Sequence, residues 1–461
     1  MIRTKPSPPA AIVHLGLGAF FRAFGIPWIA EASGDWGVIG VSLRSPQTRN
    51  ALAGQDWVYT AAEMGTDGII PRVIENLSTV LVAPENPSAV LQHMADPAIK
   101  IVSLTVTEKG YCHDPAAGAL NPNNPDILHD IAHKLPRSAP GYLVRALQMR
   151  RSNGDPAFTV MSCDNLPDNG KVTRAVTIAL AHKIDPDLAD WIAHNVAFPS
   201  TMIDRIVPAT TPDDIVNLHA QTGQHDAAPV MHEPFRQWVI EDDFPQGRPA
   251  LDTVGAQLVS DVAPFEAMKL RMLNGTHSAI AYLGYLAGHQ YVSQAAADPV
   301  FAAFLKHLWN DHIIPSFPPP DGVDLHDYAG ALMARYQNPA IQHATWQIAM
   351  DGSQKLPQRI LGTLRDGLDS GRDVTGLLLV VAAWIRYVGG TDEAGNPIDV
   401  RDPFAADLAA CHASDDPVAA ILNKRAVFDV DLAAQVKVPL TDIYSTLVAK
   451  GARATIESIT A

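Results

Sequence analysis

One stretch of the sequence combines a lysine, an asparagine and a histidine at spacings that could support proton transfer. It reads PFEAMKLRMLNGTHSAIAYLGYLAG over residues 264–288 and contains Lys269, Asn274 and His277. At about 100° per residue of an α-helix, Asn274 lies about 140° and His277 about 80° around the axis from Lys269. An amine, a carboxamide and an imidazole are therefore predicted on one side of a helix.

These groups could oxidise an alcohol if a hydride acceptor is bound beside them. Burial lowers the pKa of a lysine from about 10.4 towards neutrality, so Lys269 could remove a hydroxyl proton. Asn274, together with Asn165 in FTVMSCDNLPDNG, could donate amide hydrogens to the developing alkoxide. On spacing alone an alternative stays open, in which Lys269 extends to solvent, Asn274 caps a kink at Gly275 and His277 is a core histidine.

A glycine turn near the N-terminus could bind the hydride acceptor. The apolar run AIVHL is followed by GLGAFFRAF, where Gly16 and Gly18 form a G-x-G between a predicted strand and a predicted helix. Such glycines allow a tight turn and let backbone amides approach a pyrophosphate. Phe21 replaces the third glycine of this fingerprint, so a purely structural turn is an open alternative. The predicted cofactor-binding residues are Gly16, Gly18, Ala19, Phe20, Arg44 and Thr105.

The end of the second predicted strand bears on the choice of nucleotide. Sites for NAD usually carry an acid there, whereas this strand ends in Arg44 and is followed by Arg49. Either arginine could pair with a 2′-phosphate or simply lie at the surface. We predict NAD as the cofactor, with NADP as the alternative.

The order of elements predicts an α/β protein. Strand-like runs at 11–15, 36–43, 100–106 and from 158 are separated by helix-length segments, which indicates a doubly wound parallel sheet. Beyond about residue 255, helical periodicities cover 265–288, 300–312, 344–368 and 377–387. We expect a Rossmann-type dinucleotide-binding domain over 1–255 and a mainly α-helical substrate and catalytic domain over 256–461.

Composition excludes several classes of partner. A net charge of −15 disfavours nucleic acid and anionic membranes, and three cysteines without paired spacing support neither disulfides nor a zinc ribbon. The longest apolar run, 376–385, is shorter than the roughly 20 residues that cross a bilayer. We expect a cytoplasmic monomer or small homo-oligomer that acts on a small molecule.

The motifs also bear on two other classes of enzyme and one non-enzymatic class. His129 and His133 stand four residues apart, as zinc ligands on a helix can, but HDIAH lacks the glutamate of H-E-x-x-H. We predict no metal site. A short-chain dehydrogenase would need Y-x-x-x-K, which is absent from the sequence. A nucleotide-binding protein without enzymatic activity is a further alternative.

Over nearly its whole length the chain resembles the mannitol 2-dehydrogenase and fructuronate reductase family of long-chain, zinc-independent polyol dehydrogenases. The motifs are VHLGLGAFFRAF, IVSLTVTEKGY, VMSCDNLPDNG, FPSTMIDRIVPAT, EPFRQWVIED, KLRMLNGTH and MDGSQKLPQR, with K-x4-N-x2-H as the specific mark. The resemblance implies Lys269 as general base, Asn165 and Asn274 as the oxyanion pair, His277 as an orienting group and Glu108 as a proton relay. The predicted substrate-binding residues are Asp204, Lys355, Gln347 and Arg236.

The resemblance implies hydride transfer between NAD and an open-chain sugar derivative. We expect D-mannitol and D-fructose first, and D-mannonate and D-fructuronate as the alternative. Arg236 could hold a hexuronate carboxylate, because its planar fork matches that group. Gln347 stands where mannitol-oxidising relatives can carry an arginine. Phe21 and Phe24 replace two histidines of the family turn, which predicts a drier cofactor pocket.

Overall fold

The computed structural model describes residues 1, 3–32, 34–114 and 118–460, which divide into two compact units, Met1–Ala263 and Pro264–Ala461. The strands of the first unit are β1 (Ala10–Leu15), β2 (Gly37–Ser42), β3 (Tyr59–Gly65), β4 (Gly68–Ile74), β5 (Leu77–Val82), β6 (Ile101–Leu104), β7 (His113–Asp114), β8 (Ala119–Leu120), β9 (Thr159–Ser162), β10 (Thr201–Asp204), β11 (Val230–His232), β12 (Gln237–Glu241) and β13 (Gln257–Val259). Its helices are α1 (Ala19–Ala23), α2 (Gly25–Glu31), α3 (Gln47–Ala53), α4 (Pro87–Ala95), α5 (Pro125–Ala132), α6 (Ala139–Asn153), α7 (Asn169–Ile184), α8 (Pro186–Asn195) and α9 (Pro212–Thr222), with 3₁₀ turns at Glu108–Tyr111 and Leu251–Val254.

A parallel sheet forms the centre of the first unit. Its strand order is β5-β2-β1-β6-β9, and every neighbouring pair is parallel. This is the doubly wound order, in which successive crossovers proceed outwards from β1 in both directions. Strands β2, β6 and β9 are buried throughout because apolar clusters cover both faces of the sheet. The predicted Rossmann-type fold is confirmed.

Smaller sheets complete the first unit and were not predicted. Strands β11, β3 and β4 form one sheet, β10, β12 and β13 form another, and β7 pairs with β8. The antiparallel β3–β4 pair turns at residues 65–68. Among its outer residues Ile70 and Val73 are exposed, so the sequence of β4 lacks a continuous buried run that would mark it as a strand.

The second unit is helical, as expected. Its helices are α10 (Ala263–Met268), α11 (Gly275–Ala279), α12 (Val292–Ala297), α13 (Pro299–His307), α14 (Leu325–Tyr336), α15 (Thr345–Ala349), α16 (Gly352–Leu356), α17 (Gly362–Asp369), α18 (Thr375–Tyr387), α19 (Ala405–His412), α20 (Pro417–Leu422) and α21 (Val430–Thr460). Segments of π-helix lie at Lys269–Asn274, Ile280–Gly284, Leu308–Ile313 and Pro357–Leu361, and Ile314–Ser316 is a 3₁₀ turn. No helix of the described part combines the length and apolar character that crossing a membrane requires.

Two details of the predicted helices are wrong. The single helix expected over 344–368 is divided, because Asp351 takes a left-handed conformation (φ 56°) between α15 and α16. The helix expected over 265–288 exists, but it lacks uniform α-helical spacing. The Gly275 N–H donates to the carbonyl of Leu270, five residues back. In such a segment, residues five apart lie about one turn apart. The angle around the helix axis between Lys269 and Asn274 is therefore smaller than the expected value of about 140°.

Candidate active site

The glycine turn lies at the carboxyl end of β1. Gly16 has φ +91°, and a Cβ there would lie 2.2 Å from the carbonyl oxygen of Thr105. The Thr105 hydroxyl donates to the Gly16 carbonyl (3.0 Å) and lies 2.8 Å from Nε2 of His14. At Gly18, by contrast, the nearest neighbour of an added Cβ is 3.8 Å away. The turn is therefore fixed on its sheet side and open at Gly18, where a pyrophosphate would approach the backbone.

The residues after the turn divide into core and surface. Ala19 and Phe20 begin α1 and are partly exposed beside the turn. Phe21 is fully buried and stacks on the ring of His14 at 3.4 Å, and Phe24 packs against Trp238. The two phenylalanines that replace family histidines thus belong to the core of the first unit.

Among the described residues, one of the two arginines after β2 has an ion-pair partner. Arg49 donates to both carboxylate oxygens of Glu85 at 3.0 Å. Arg44 is exposed and forms no ion pair in the described residues. Arg44 is therefore the better candidate for contact with the adenosine side of a nucleotide.

Asp164 joins the loops that follow β6 and β9. Its carboxylate accepts the N–H groups of Val106 (2.8 Å) and Thr107 (2.9 Å) and the hydroxyl of Tyr111 (2.7 Å). Burial raises the pKa of Asp164, and these hydrogen bonds oppose the rise. Thr107 has φ 66°, a rare conformation for a β-branched residue, and it directly precedes Glu108.

Glu108 and Asn165 are consequently held at one edge of the parallel sheet. Glu108 is exposed at the start of the 3₁₀ turn, and Asn165 is exposed next to Asp164. Both follow the carboxyl ends of neighbouring strands, which is the edge where ligands bind in sheets of this type.

The two other predicted substrate-side residues of the first unit differ in their surroundings. Asp204 ends β10 and is buried. The guanidinium of Arg236 donates to both oxygens of Glu31, at 2.8 and 2.6 Å, and lies 4.1 Å above the ring of Trp28. Because its fork is already used by Glu31, the structure does not support Arg236 as a receptor for a substrate carboxylate.

The second unit brings Lys269, Asn274 and His277 together on the helix that starts with α10. Lys269 begins the π segment with only 8% of its surface exposed, and Asn274 ends it, half-buried. His277 follows one turn later in α11 and is 7% exposed. Its Nε2 atom is buried and has no hydrogen-bond partner among the described residues. A buried polar atom without a partner is costly, so this nitrogen is suited to bind a substrate hydroxyl.

The imidazole of His277 is held neutral. Burial lowers its pKa well below the usual value, and the positive charges of Arg335, Arg359 and Lys269 act in the same direction. Its ring lies 4.8 Å from Tyr336 and 5.5 Å, edge to face, from His343. Lys269 is thus close enough to His277 for the two groups to interact electrostatically.

The other two predicted substrate-binding residues of this unit lie on α15 and α16. Gln347 is exposed on α15. The Lys355 ammonium on α16 donates to the carbonyls of Met350 (2.6 Å) and Ile348 (3.4 Å). Burial, together with the charge of Arg359, lowers the pKa of Lys355.

The start of α16 is fixed by tertiary contacts. Asp402 accepts the N–H of Ser353 at 2.8 Å and its hydroxyl at 2.6 Å. A Cβ at Gly352 would lie 2.5 Å from the Trp384 ring and 2.6 Å from the Tyr282 hydroxyl. Only glycine therefore fits at position 352, where α16 begins. The start of this helix fixes the positions of Lys355 and Arg359, which follow it.

Sequence reasoning did not identify Arg335, His343 or Arg359 as site residues. Arg359 lies in the motif MDGSQKLPQR, but its spacing from Lys355 indicates no particular chemistry. His343 and Arg335 lie outside the family motifs quoted above. The only signal in the sequence was the position of Arg359 beside a predicted substrate-binding lysine.

The histidine pair of the first unit does not form a metal site with the residues described. The rings of His129 and His133 stack at 4.3 Å, and Nδ1 of His129 lies 3.0 Å from Asp130. Within residues 1, 3–32, 34–114 and 118–460, no cluster of three or more His, Cys, Asp or Glu side chains could hold a metal ion.

Comparison with known proteins identifies the family. Residues 10–253 match the mannitol dehydrogenase Rossmann domain, and residues 261–446 match the mannitol dehydrogenase C-terminal domain. The chain belongs to the mannitol dehydrogenase family. The resemblance predicted from the motifs is confirmed.

Individual relatives cover almost all of the chain. The D-mannonate oxidoreductase of Escherichia coli is 45% identical over 97% of this chain and 95% of its own length. The uncharacterized oxidoreductase YeiQ of the same organism is 47% identical over 91% of this chain and 88% of its own. A solved structure, the Pseudomonas fluorescens mannitol 2-dehydrogenase ternary complex with NAD and D-mannitol, is 38% identical with a TM-score of 0.86, covering 99% of this chain and 96% of that one.

Proposed function

We propose that this protein is an NAD-dependent dehydrogenase that interconverts a secondary alcohol and a ketone on an open-chain sugar acid, with D-mannonate and D-fructuronate as the preferred pair. The observation that carries the proposal is the buried start of the π turn, where Lys269 interacts electrostatically with His277, whose Nε2 has no partner among the described residues. D-mannitol and D-fructose are the second candidate pair.

The order of the two substrates differs from the expectation from sequence. Identity is 45% to a D-mannonate oxidoreductase, against 38% to a mannitol 2-dehydrogenase of Phaeosphaeria nodorum that the chain also matches over 96% of its length. Gln347 is neutral, so it supplies no positive charge to a substrate carboxylate. The preference for the sugar acid therefore rests on the difference in identity.

The predicted residues have distinct roles in the proposed chemistry. Gly16, Gly18, Ala19, Phe20 and Thr105 would hold the nucleotide, with Arg44 at its adenosine side. Bound NAD would supply the acceptor for the hydride of the carbinol carbon. Lys269 takes the hydroxyl proton as the C=O bond forms, and the carboxamides of Asn274 and Asn165 donate hydrogen bonds to that oxygen.

The remaining predicted residues act around this step. Neutral His277 uses Nε2 to orient a neighbouring hydroxyl, while Glu108 passes the proton from Lys269 to water. Asp204, Lys355 and Gln347 bind the rest of the substrate. The amine of Lys269 must be uncharged before each oxidation, so oxidation is expected to accelerate as pH rises through the pKa of that amine.

Initial rates would test the proposal. D-mannonate, D-mannitol, D-arabinitol and D-sorbitol would each be oxidised with NAD⁺ and with NADP⁺, and NADH or NADPH formation would be followed by absorbance. We expect the highest kcat/KM for D-mannonate with NAD⁺, and the same rate in excess chelator. No turnover of any of the four compounds would reject the proposal, and a higher kcat/KM for D-mannitol would select the second candidate.

A further inference from the structure

Arg359 lies beside the turn that carries the proposed general base. It belongs to the π segment Pro357–Leu361, and its carbonyl oxygen would be only 3.0 Å from a Cβ at Gly275. Gly275 directly follows Asn274. The two π segments therefore meet beside the helix that carries Lys269, Asn274 and His277. Arg359 is half-buried, and its positive charge reaches both His277 and His343.

No anion in the described residues balances this arginine. Its guanidinium forms no ion pair and no hydrogen bond there. The groups that oppose the effect of burial on its pKa are the phenols of Tyr282 and Tyr336, not carboxylates. The carboxylate of Asp402 is engaged by the N–H and hydroxyl of Ser353. Removing a guanidinium from water costs free energy when no carboxylate replaces the lost water. A carboxylate of a ligand would offset that cost.

Arg359 interacts electrostatically with two buried histidines, each of which has a ring nitrogen without a partner in the described residues. Burial, with the charges of Arg335, Lys355 and Arg359, lowers the pKa of His343 to about 4, so that ring is neutral near pH 7. Nδ1 of His343 and Nε2 of His277 are both buried without partners in the described chain. This arrangement suits a ligand with one negatively charged end and several hydroxyl groups.

We propose that the Arg359 guanidinium binds the carboxylate of a sugar-acid substrate and thereby sets the preference for a hexonate over a neutral polyol. The planar fork of arginine can donate two parallel hydrogen bonds to a carboxylate. Hydroxyl groups of the same substrate would be partners for Nε2 of His277 and Nδ1 of His343, which have none in the described residues. The inference rests on the proposed function, because it identifies which end of the substrate is recognised.

A phosphate of the cofactor could also supply the negative charge, and the test separates these two sources. Binding of D-mannonate and of D-mannitol would be measured by calorimetry with NADH present, and NADH affinity by fluorescence. The variants are Arg359→Gln, which removes the charge, and Arg359→Lys, which keeps the charge but loses the fork. Arg365→Gln is the matched control, because Arg365 lies in the next helix, is 52% exposed and pairs with Asp429.

For Arg359→Gln we expect D-mannonate binding to weaken about 10²-fold, while D-mannitol and NADH binding change less than about threefold. Arg359→Lys should weaken D-mannonate binding about tenfold. Arg365→Gln should bind all three ligands as the wild type does. Equal loss for D-mannonate and D-mannitol, no loss for either, or weaker NADH binding would overturn the inference.

The two proposals can fail separately. If the wild type binds D-mannonate through Arg359 but oxidises no sugar acid, the proposed function fails and the carboxylate site stands. If it oxidises D-mannonate and both Arg359 variants retain the wild-type KM, the function stands and this site is rejected. Should Arg359→Gln fail to fold by circular dichroism, Arg359→Lys decides between these outcomes.

Discussion

At the scale of single residues, the site depends on a few polar groups kept away from water. Lys269 and His277 are both more than nine-tenths buried, and each lies within the electrostatic range of the other. The neutral imidazole of His277 can take part in a hydrogen bond without adding a charge to the site.

Lys269→Ala is expected to abolish turnover and leave cofactor affinity nearly unchanged. The variant removes the proposed proton acceptor while the glycine turn of the first unit stays intact. The kcat and the NADH dissociation constant would be measured, with Lys306→Ala as control, since Lys306 is exposed on α13 of the same unit. Retention of more than about a tenth of the wild-type kcat would contradict the assigned base.

Asn274→Ala is expected to lower kcat by about 10²-fold or more, because a donor to the developing oxygen anion would be lost. Substrate affinity should change much less than kcat. Asn423→Ala is the control, as Asn423 is an exposed asparagine in the same unit. An unchanged kcat would remove Asn274 from the mechanism.

At this scale, what the sequence could predict depends on how close together in the chain the interacting residues lie. Lys269, Asn274 and His277 lie within nine residues, so a local pattern identifies them. Arg359 reaches the same region through folding alone, and no spacing within the chain links it to His277. The ion pair of Arg236 with Glu31 could not be predicted, because Glu31 is about 200 residues earlier in the sequence.

At the scale of elements, helix geometry differs from the ideal at the site. The segments Lys269–Asn274 and Pro357–Leu361 both follow π-helical bonding, and they meet at Gly275. Apolar periodicity predicted the helix but not its winding, because periodicity locates a buried face and does not distinguish four-residue from five-residue hydrogen bonding. The break at Asp351 was missed because Asp and Gly in a helical pattern are weak signals on their own.

Gly352→Ala is expected to destabilise the second unit by about 1–3 kcal/mol, since the new methyl group would overlap the Trp384 ring. KM should also rise, because displacement of α16 would move Lys355 and Arg359, which are proposed to bind the substrate. Urea unfolding and steady-state kinetics would measure both effects.

Gly362→Ala provides the matched control for this change. Gly362 begins α17, and an added Cβ there meets nothing within 4 Å. It should therefore stabilise the protein by up to about 1 kcal/mol, because alanine is the better helix former. The prediction fails if both variants shift stability in the same direction.

At the scale of the whole molecule, both units contain histidines that are buried in the neutral form. Burial lowers the pKa of His232 and His343 to about 4, and those of His14 and His277 also fall well below the usual value. In an unfolded chain each would bind a proton near pH ~6.5. Between about pH 6.5 and 4 the unfolded state therefore binds more protons, and the free energy of unfolding must decrease as pH falls.

The expected result is a lower urea midpoint at pH 5 than at pH 7. His232→Gln should reduce this pH dependence, whereas His326→Gln should preserve it, because His326 is exposed at the start of α14. Equal midpoints at both pH values would show that the buried histidines do not control acid stability.

The π turn between Lys269 and Asn274 has a consequence for how this chain tolerates change in length. Such a turn contains one residue more than the α-helical turn it replaces. Loss of a single codon between Lys269 and Asn274 would restore ordinary winding, because the residue that now lies five places after Lys269, about one turn away, would then lie four places after it, again about one turn away. His277 and the side chains that follow would keep nearly their present directions. A deletion within the ordinary α-helical turns of α18 would instead rotate every later side chain of that helix by about 100°. In a library of variants, one-residue deletions at 270–273 should therefore be recovered more often than one-residue deletions within α18.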